Sequence, residues 1–468
     1  MPDTASDGGG VSPTEKAQIN LILSSLSAAR VYPVDWETAP GGAQYLYRER
    51  CVIVRDRYVK DLSPAPSPEE VASRFGSPLP GVKITTVVTG MARVTWERTV
   101  PGQSDGSPDE GPSVQEVLAS IEKTARKKVA APDHLLYVCP HSCAATEPEV
   151  VAWDADPVPW PHGHNLDHGS PDDVGARSGG GGGVRVLVAD TGLVPNAAAD
   201  HWWLRGVTGE PERPPGGTQL AQDAGHGTFT AGCVRVAALD ADVHVLDATA
   251  AGAPDGVDPI GAVFESDLAQ LLRSQLVADW DPDGNDPVPA TLVPRPVPDI
   301  LLVNFAGLTW DGGPPPALAA LYGHLLQHLK ELLIIAPAGN EGDTRKNWPA
   351  SFSWVVSVGA LDPAWGRRAP WSNHGRTVDV FAPGDRLVNA YATGTYTCTW
   401  EPHPGEIREF RGMARWSGTS FATPLVAGMI ATRMSQTGQS SRRAWRSLLD
   451  EAEEQAIPGV GPVLLPPR

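Results

Sequence analysis

The chain has 468 residues, 41% of them hydrophobic and 20% charged, with a formal net charge of -18 at pH 7. That length suggests roughly three average domains or two large ones, with ample chain for a buried core. The acidic balance argues against nucleic acid or an anionic membrane held by charge. No apolar run reaches membrane-spanning length, so neither class of partner is expected.

The start, MPDTASDGGGVSPTEKAQ, has no basic segment followed by an apolar stretch, and no standard secretory leader is expected from it. Cys51, Cys139, Cys143, Cys233 and Cys398 are scattered and odd in number. They fit reduced thiols better than a disulfide framework, which implies a cytoplasmic protein. Cys139 and Cys143 stand four apart without a second pair, too little for a zinc site. Residues 1–44 read as a polar tail and lead-in.

Residues 45–145 alternate short elements. RERCVIVRDRYV reads as a strand, SPEEVASRFG as a helix, and VKITTVVTGMARVTWERTV as two strands turning near Gly90. The amphipathic VQEVLASIEKTARKKV and the strand HLLYVCP complete a βαββαβ order, the pattern of a small α+β ferredoxin-like domain. Residues 146–183 turn to Pro, Asp, His and Gly, ending in five glycines, and read as a linker.

From 184 to 460 the pattern changes. VRVLVAD, VHVLDA, ILLVNFAG, LLIIAPAGN and WVVSVGA are almost uninterrupted apolar runs, as in strands buried on both faces of a parallel sheet. Helical candidates SDLAQLLRSQLVADW and PALAALYGHLLQHLKELL fall between them. The expected class is α/β, a mostly parallel sheet flanked by helices, preceded by the small α+β domain.

In open parallel sheets ligands gather beyond the carboxyl ends of the strands. Asp190 closes the first run, Asn340 follows the fourth in APAGNEG, and His226 opens a helix-like run in GHGTFTAGCVRVAA. Ser420, in RWSGTSFATPLVAG, stands between Gly-Thr and another helical run. Alone, each has an ordinary reading: Ser420 as an N-cap, Asp190 and Asn340 as turn residues, His226 as a polar group at a helix start. Together they supply what acyl transfer needs. Imidazole deprotonates the hydroxyl, a carboxylate holds the imidazole, and an amide donor meets the oxyanion.

On VADTG, GHGT, AGNEG and SGTSFATP, with VGAL, SNHG and FAPG between the last two, the chain resembles subtilisin-like serine proteases (subtilases) over about residues 184–440. The chain order Asp, His, Ser is that of subtilisin itself, so it is matched here and not discovered. The resemblance implies that Asp190 orients, His226 is base and acid, Ser420 is the nucleophile and Asn340 the side-chain oxyanion donor. Sedolisin-type proteases carry glutamate and aspartate in place of the histidine and asparagine; His226 and Asn340 decide against them. The resemblance also gives residues 45–145 a meaning, since subtilase propeptides are βαββαβ domains that lay their C-terminal end through the active site. The N-terminal domain is then an intramolecular partner, and the 146–183 linker a hinge open to cleavage.

Departures affect the substrate side. Where subtilases usually have Ser-Leu-Gly-Gly, this chain has Asn304, Phe305, Ala306 and Gly307. These, with Gly339, are the expected substrate-binding residues, and the Ala306 methyl is expected to intrude on an added strand. Phe229 replaces a second histidine and reads as packing, as does the thiol of Cys233. No cofactor is required. Calcium is weighed at DWDPDGNDP, residues 279–287, but Gly284 is misplaced for an EF-hand loop and Leu292 stands where its glutamate belongs, so a solvated acidic loop is expected. The expected function is a serine endopeptidase acting on protein or peptide substrates and restrained by its N-terminal domain. The alternatives are a subtilase-fold binding or scaffold protein, and a processing protease with one or few substrates.

Overall fold

The computed structural model describes residues 13–39, 43–97, 111–138, 146–159, 180–212, 218–251, 260–277, 297–399 and 402–466. The chain opens with α1 (Pro13–Ser25) and β1 (Ala29–Tyr32). The stretch expected as a polar lead-in therefore carries a helix. Ile19 and Ile22 of α1 are buried with Val31, Trp36 and Leu46, and two apolar residues one turn apart are too few to show as periodicity.

Next come β2 (Tyr45–Arg55), the single turn α2 (Asp56–Val59), α3 (Pro68–Phe75), β3 (Lys83–Val88), β4 (Met91–Thr95), α4 (Val114–Ala125) and β5 (Ala130–Tyr137). The strand expected through Val59 stops at Arg55, because the Asp56 carboxylate accepts from the Arg57 N–H and turns the chain. Reciprocal capping boxes, Ser67 with Glu70 and Ser113 with Glu116, start α3 and α4. The strands pair antiparallel in the order β5-β2-β4-β3, and α3 and α4 share their core.

The second part runs β6 (Glu149–Val150), β7 (Arg185–Asp190), α5 (Ala197–Asp200), β8 (Thr208–Gly209), α6 (His226–Ala237), β9 (Asp242–Asp247), β10 (Ala262–Phe264) and α7 (Glu265–Leu276). It continues with β11 (Ile300–Val303), α8 (Pro316–His324), β12 (Leu333–Pro337), β13 (Val355–Leu361), β14 (Val380–Pro383), β15 (Leu387–Thr397), β16 (Ile407–Trp416), α9 (Thr419–Thr437) and α10 (Ser441–Glu454). Seven strands form a parallel sheet in the order β14-β13-β12-β11-β7-β9-β8. Alternate residues feed two cores: Val186, Val188, Ile300 and Leu302 on one face, Leu187, Ala189, Leu301 and Val303 on the other. That two-sided burial is why these strands are apolar throughout. The helix expected over residues 316–333 ends at His324; an apolar run without polar spacing carries no mark of its stop.

Two further pairings tie the parts together. β10 pairs antiparallel with β5 and extends the N-terminal sheet. β6 pairs with β16 of the β15–β16 hairpin, although the sequence reads residues 146–183 as linker. Glu147 accepts from Thr399 N–H at 2.6 Å and Tyr396 O–H at 3.3 Å, Trp416 Nε1 donates to Thr146 O, and Arg408 donates to Pro148 O. A polar stretch is anchored this way by partners about 250 residues on, which composition cannot reveal. Residues 160–179 of the expected linker lie outside the described residues.

Candidate active site

Asp190 ends β7, which lies between β11 and β9. The chain leaves β7 for β8 and β9 on one side and returns to β11 on the other, so Asp190 sits at the switch point where such sheets open a crevice. His226 is the first residue of α6, behind Gly225 at φ 71. Ser420 is the second residue of α9, whose N-cap is Gly418. The serine is therefore not the cap. A β-carbon on Gly428 would stand 2.5 Å from Val234 O, so glycine there lets α9 approach α6 closely and brings both helix mouths to one edge of the sheet.

His226 Nδ1 and Asp190 Oδ1 are 2.7 Å apart, both side chains fully buried. Asp190 also accepts from Thr191 N–H on Oδ1 and from Asn304 Nδ2 on Oδ2, each at 2.8 Å. The imidazole is packed against Phe421 and Trp416, with centroids at 5.1 and 5.5 Å. Phe229 packs on the same two rings. Asn340 Oδ1 accepts from Thr419 N–H at 3.0 Å and Thr419 Oγ1–H at 2.9 Å. The carbonyl end of that amide is thereby committed to Thr419.

Asn304 is placed differently from its expected substrate-binding role. It is fully buried, and Nδ2 reaches Asp190, Thr230 Oγ1 and, at 3.2 Å, Ser420 O. The last contact has a local cause. Pro424 has no N–H to give the carbonyl four residues earlier, and the amide of Asn304 takes its place. Phe305 is core. Ala306 exchanges backbone bonds of 3.0 and 2.9 Å with Tyr137, so its methyl does not prevent strand pairing, and Gly307 does the same with Trp348. Gly339, at φ 106, donates to Thr419 Oγ1.

The N-terminal sheet thus enters the crevice. Leu135–Tyr137 lie against β10 on one edge, with Tyr137 on Ala306 at the other. Val138 N–H donates to Gly261 O at 2.8 Å, and Ser420 Oγ–H donates to Val138 O at 2.8 Å. Cys139 and Cys143 lie outside the described residues, as does the acidic loop 279–287. Cys233 is a core thiol, buried against Asn389, and burial pushes its pKa up. Among the described residues no group of three or more His, Cys, Asp or Glu is placed to hold a metal ion, and no helix is long and apolar enough to cross a membrane.

Two buried acids beside the pair went unnoticed in the sequence. Glu212 accepts from Gly225 N–H at 2.7 Å, and burial, then Asp223, raise its pKa well above the usual range. Burial pushes the Asp223 carboxyl up to about 7. The available signal was Asp223 standing three residues before His226 in QDAGHGT.

A parallel sheet covered on both faces, with acid, imidazole, alcohol and amide gathered at its carboxyl edge, is a subtilisin-like α/β architecture. The chain belongs to the Subtilase family, whose model matches residues 181–459. It is 26% identical over 290 residues to M-protease of Shouchella clausii (strain KSM-K16), covering 61% of this chain and 60% of that protein. It is 27% identical over 282 residues to thermitase of Thermoactinomyces vulgaris, covering 60% and 84%. Fervidolysin of Fervidobacterium pennivorans, a keratinolytic enzyme related to subtilisin, shares the fold at 16% identity and TM-score 0.52, over 90% of this chain and 60% of that one. The chain spans 60% of the length of both M-protease and fervidolysin.

Proposed function

We propose that the protein is a serine endopeptidase whose N-terminal domain occupies its own cleft. The 2.7 Å contact between Asp190 and His226, at the mouth that also holds Ser420, carries this reading. With Nδ1 bound to Asp190, proton traffic falls to His226 Nε2. The Ser420 hydroxyl gives its proton to that nitrogen as Oγ attacks a substrate carbonyl carbon. Asn340 Nδ2 and backbone N–H groups at the start of α9 donate to the resulting oxyanion. The imidazolium then protonates the leaving amine, and water repeats the sequence on the acyl-enzyme to release the acid. No cofactor takes part in these steps.

Self-inhibition is supported by the backbone pairing of Tyr137 with Ala306 and by the Ser420–Val138 bond. A substrate adding itself as a strand would need the edges that Leu135–Val138 now use. A scaffold role in which the domain stays docked is favoured by one observation: β10 belongs to the N-terminal sheet through β5. We further place the protein in the cytoplasm, with the free, buried thiols Cys51, Cys233 and Cys398 in support.

Incubation followed by intact-mass measurement tests the peptidase reading. Wild type should slowly give a fragment beginning between residues 139 and 146, while Ser420→Ala stays full length. Equal peptide turnover by the two proteins would overturn it. Full peptidase activity from uncut wild type would overturn self-inhibition alone.

A further inference from the structure

A cavity of about 530 Å³ lies between the N-terminal sheet and α8, and its walls include none of His226, Asn340 and Ser420. That is the size of a small-molecule site. Ile53, Arg55 and Met91 line it from the N-terminal sheet, Ala319 and Ala320 from α8. The two parts touch at its border. A β-carbon on Gly90, at φ 91, would stand 2.7 Å from His324 Nε2, so the β3–β4 turn rests directly on α8. Lys128 Nζ lies 4.9 Å from the Trp310 ring centroid and donates to Asp311 at 3.0 Å.

The charge of this cavity runs against that of the chain. The net charge is -18, yet the walls carry Arg55 and Lys128 against the single carboxylate of Asp311. Asp311 is taken by Lys128, and His134, which also lines the cavity, is taken by Glu265. Arg55 is exposed, and its guanidinium makes no hydrogen bond or ion pair among the described residues. Arg126 and Lys127, both exposed, lead into Lys128 with no acid between them. An apolar chamber with an uncompensated guanidinium at its wall has the chemistry of an anion site.

We propose that this cavity binds a small organic carboxylate with an apolar body. Arg55 pairs with the carboxylate through its planar fork of donors, and the body lies against Ile53, Met91, Ala319 and Ala320. Both parts of the molecule supply walls, so the anion binds their docked arrangement and stabilises it by mass action. Resting on the self-inhibition reading, an occupied cavity delays withdrawal of the N-terminal domain from the cleft.

Isothermal titration calorimetry of octanoate into full-length Ser420→Ala protein provides the test, with octylammonium lacking the charge and acetate lacking the body. Octanoate should bind one site per chain with a Kd of roughly 0.1 mM, the strength expected of about ten heavy atoms in a partly open cavity. Octylammonium and acetate should bind at least about 10-fold more weakly. Adding Arg55→Gln should weaken octanoate about 10-fold, the scale of one charge-assisted pair, and adding Ala320→Phe, which fills the chamber, should abolish binding. Absence of octanoate binding, equal binding of octylammonium, or affinity unchanged in either variant overturns the proposal. In otherwise wild-type protein, octanoate at about ten times its Kd should slow fragment formation roughly 10-fold, and an unchanged rate overturns the link to docking. If no fragment forms even without octanoate, the self-cleavage reading fails and calorimetry decides the site by itself.

Discussion

Among the described residues two imidazole–carboxylate pairs are buried, each 2.7 Å long: His226 with Asp190, and His134 with Glu265. They differ in what surrounds them. His134 Nε2 accepts from Trp310 N–H at 3.1 Å, while Glu265 Oε2 accepts from Ala317 N–H, so that pair is closed by backbone donors. It joins a network in which Arg48 and Arg93 of the N-terminal sheet reach Asp267, and Asp133 takes the Ser266 N–H and hydroxyl at the start of α7. The His226 pair instead stands where α6 and α9 begin, with Ser420 the second residue of α9 and the Trp416 and Phe421 rings against the imidazole. A buried pair of this length is therefore no sign of chemistry by itself; the groups around it set what it does.

The contrast can be broken most severely at the Ser420 side. His226→Ala or Ser420→Ala should lower peptide turnover by about 10⁶-fold, the scale known for subtilisin itself. Steady-state assay on one peptide, with both variants checked for folding by circular dichroism, measures this. Asn340→Ala should cost about 10²–10³-fold, again the subtilisin scale for one lost oxyanion donor, read as kcat falling with little change in KM.

At the closed pair the expected effect is on docking. His134→Ala leaves the buried carboxylate of Glu265 and the Trp310 N–H without their partner and should destabilise the docked N-terminal domain by about 3 kcal/mol. Urea titration in the Ser420→Ala background measures that loss, and in otherwise wild-type protein the fragment should form sooner. A His134→Ala protein with unchanged docking stability would remove the assigned difference between the pairs.

The smallest effect concerns pH. The Asp223 carboxyl is raised from 3.8 to about 7 on folding, so between those values the folded chain binds more protons than the unfolded one. Its contribution is fully present below about pH 4 and is lost as pH rises through about 7. Tm of the Ser420→Ala protein should therefore fall relative to Asp223→Asn/Ser420→Ala over that window. Parallel curves would show that Asp223 does not titrate there.

Much of the parallel sheet was legible because two-sided burial leaves unbroken apolar runs, as at Val186–Ala189 and Ile300–Val303. Asp190, His226, Asn340 and Ser420 stood out because glycines or strand ends mark each one. What stayed hidden depends on distant partners. Asn304 looked like a substrate residue from its place in the motif, whereas its inward contacts run to Asp190, Thr230 and the Ser420 carbonyl, up to 116 positions away. Thr146–Val150 looked like linker because its bonds run to Tyr396, Thr399, Arg408 and Trp416. Glu212 and Asp223 gave no periodic signal, since a buried acid is notable only once its surroundings are known.

Fluorophosphonate labelling followed by peptide mapping tests the central claim most directly, because the reagent reacts only with a serine whose proton a neighbouring base removes. Labelling of Ser420 in wild type, its near-loss in His226→Ala and its retention in His134→Ala are predicted. Absence of label on Ser420, or equal labelling in wild type and His226→Ala, would contradict the account.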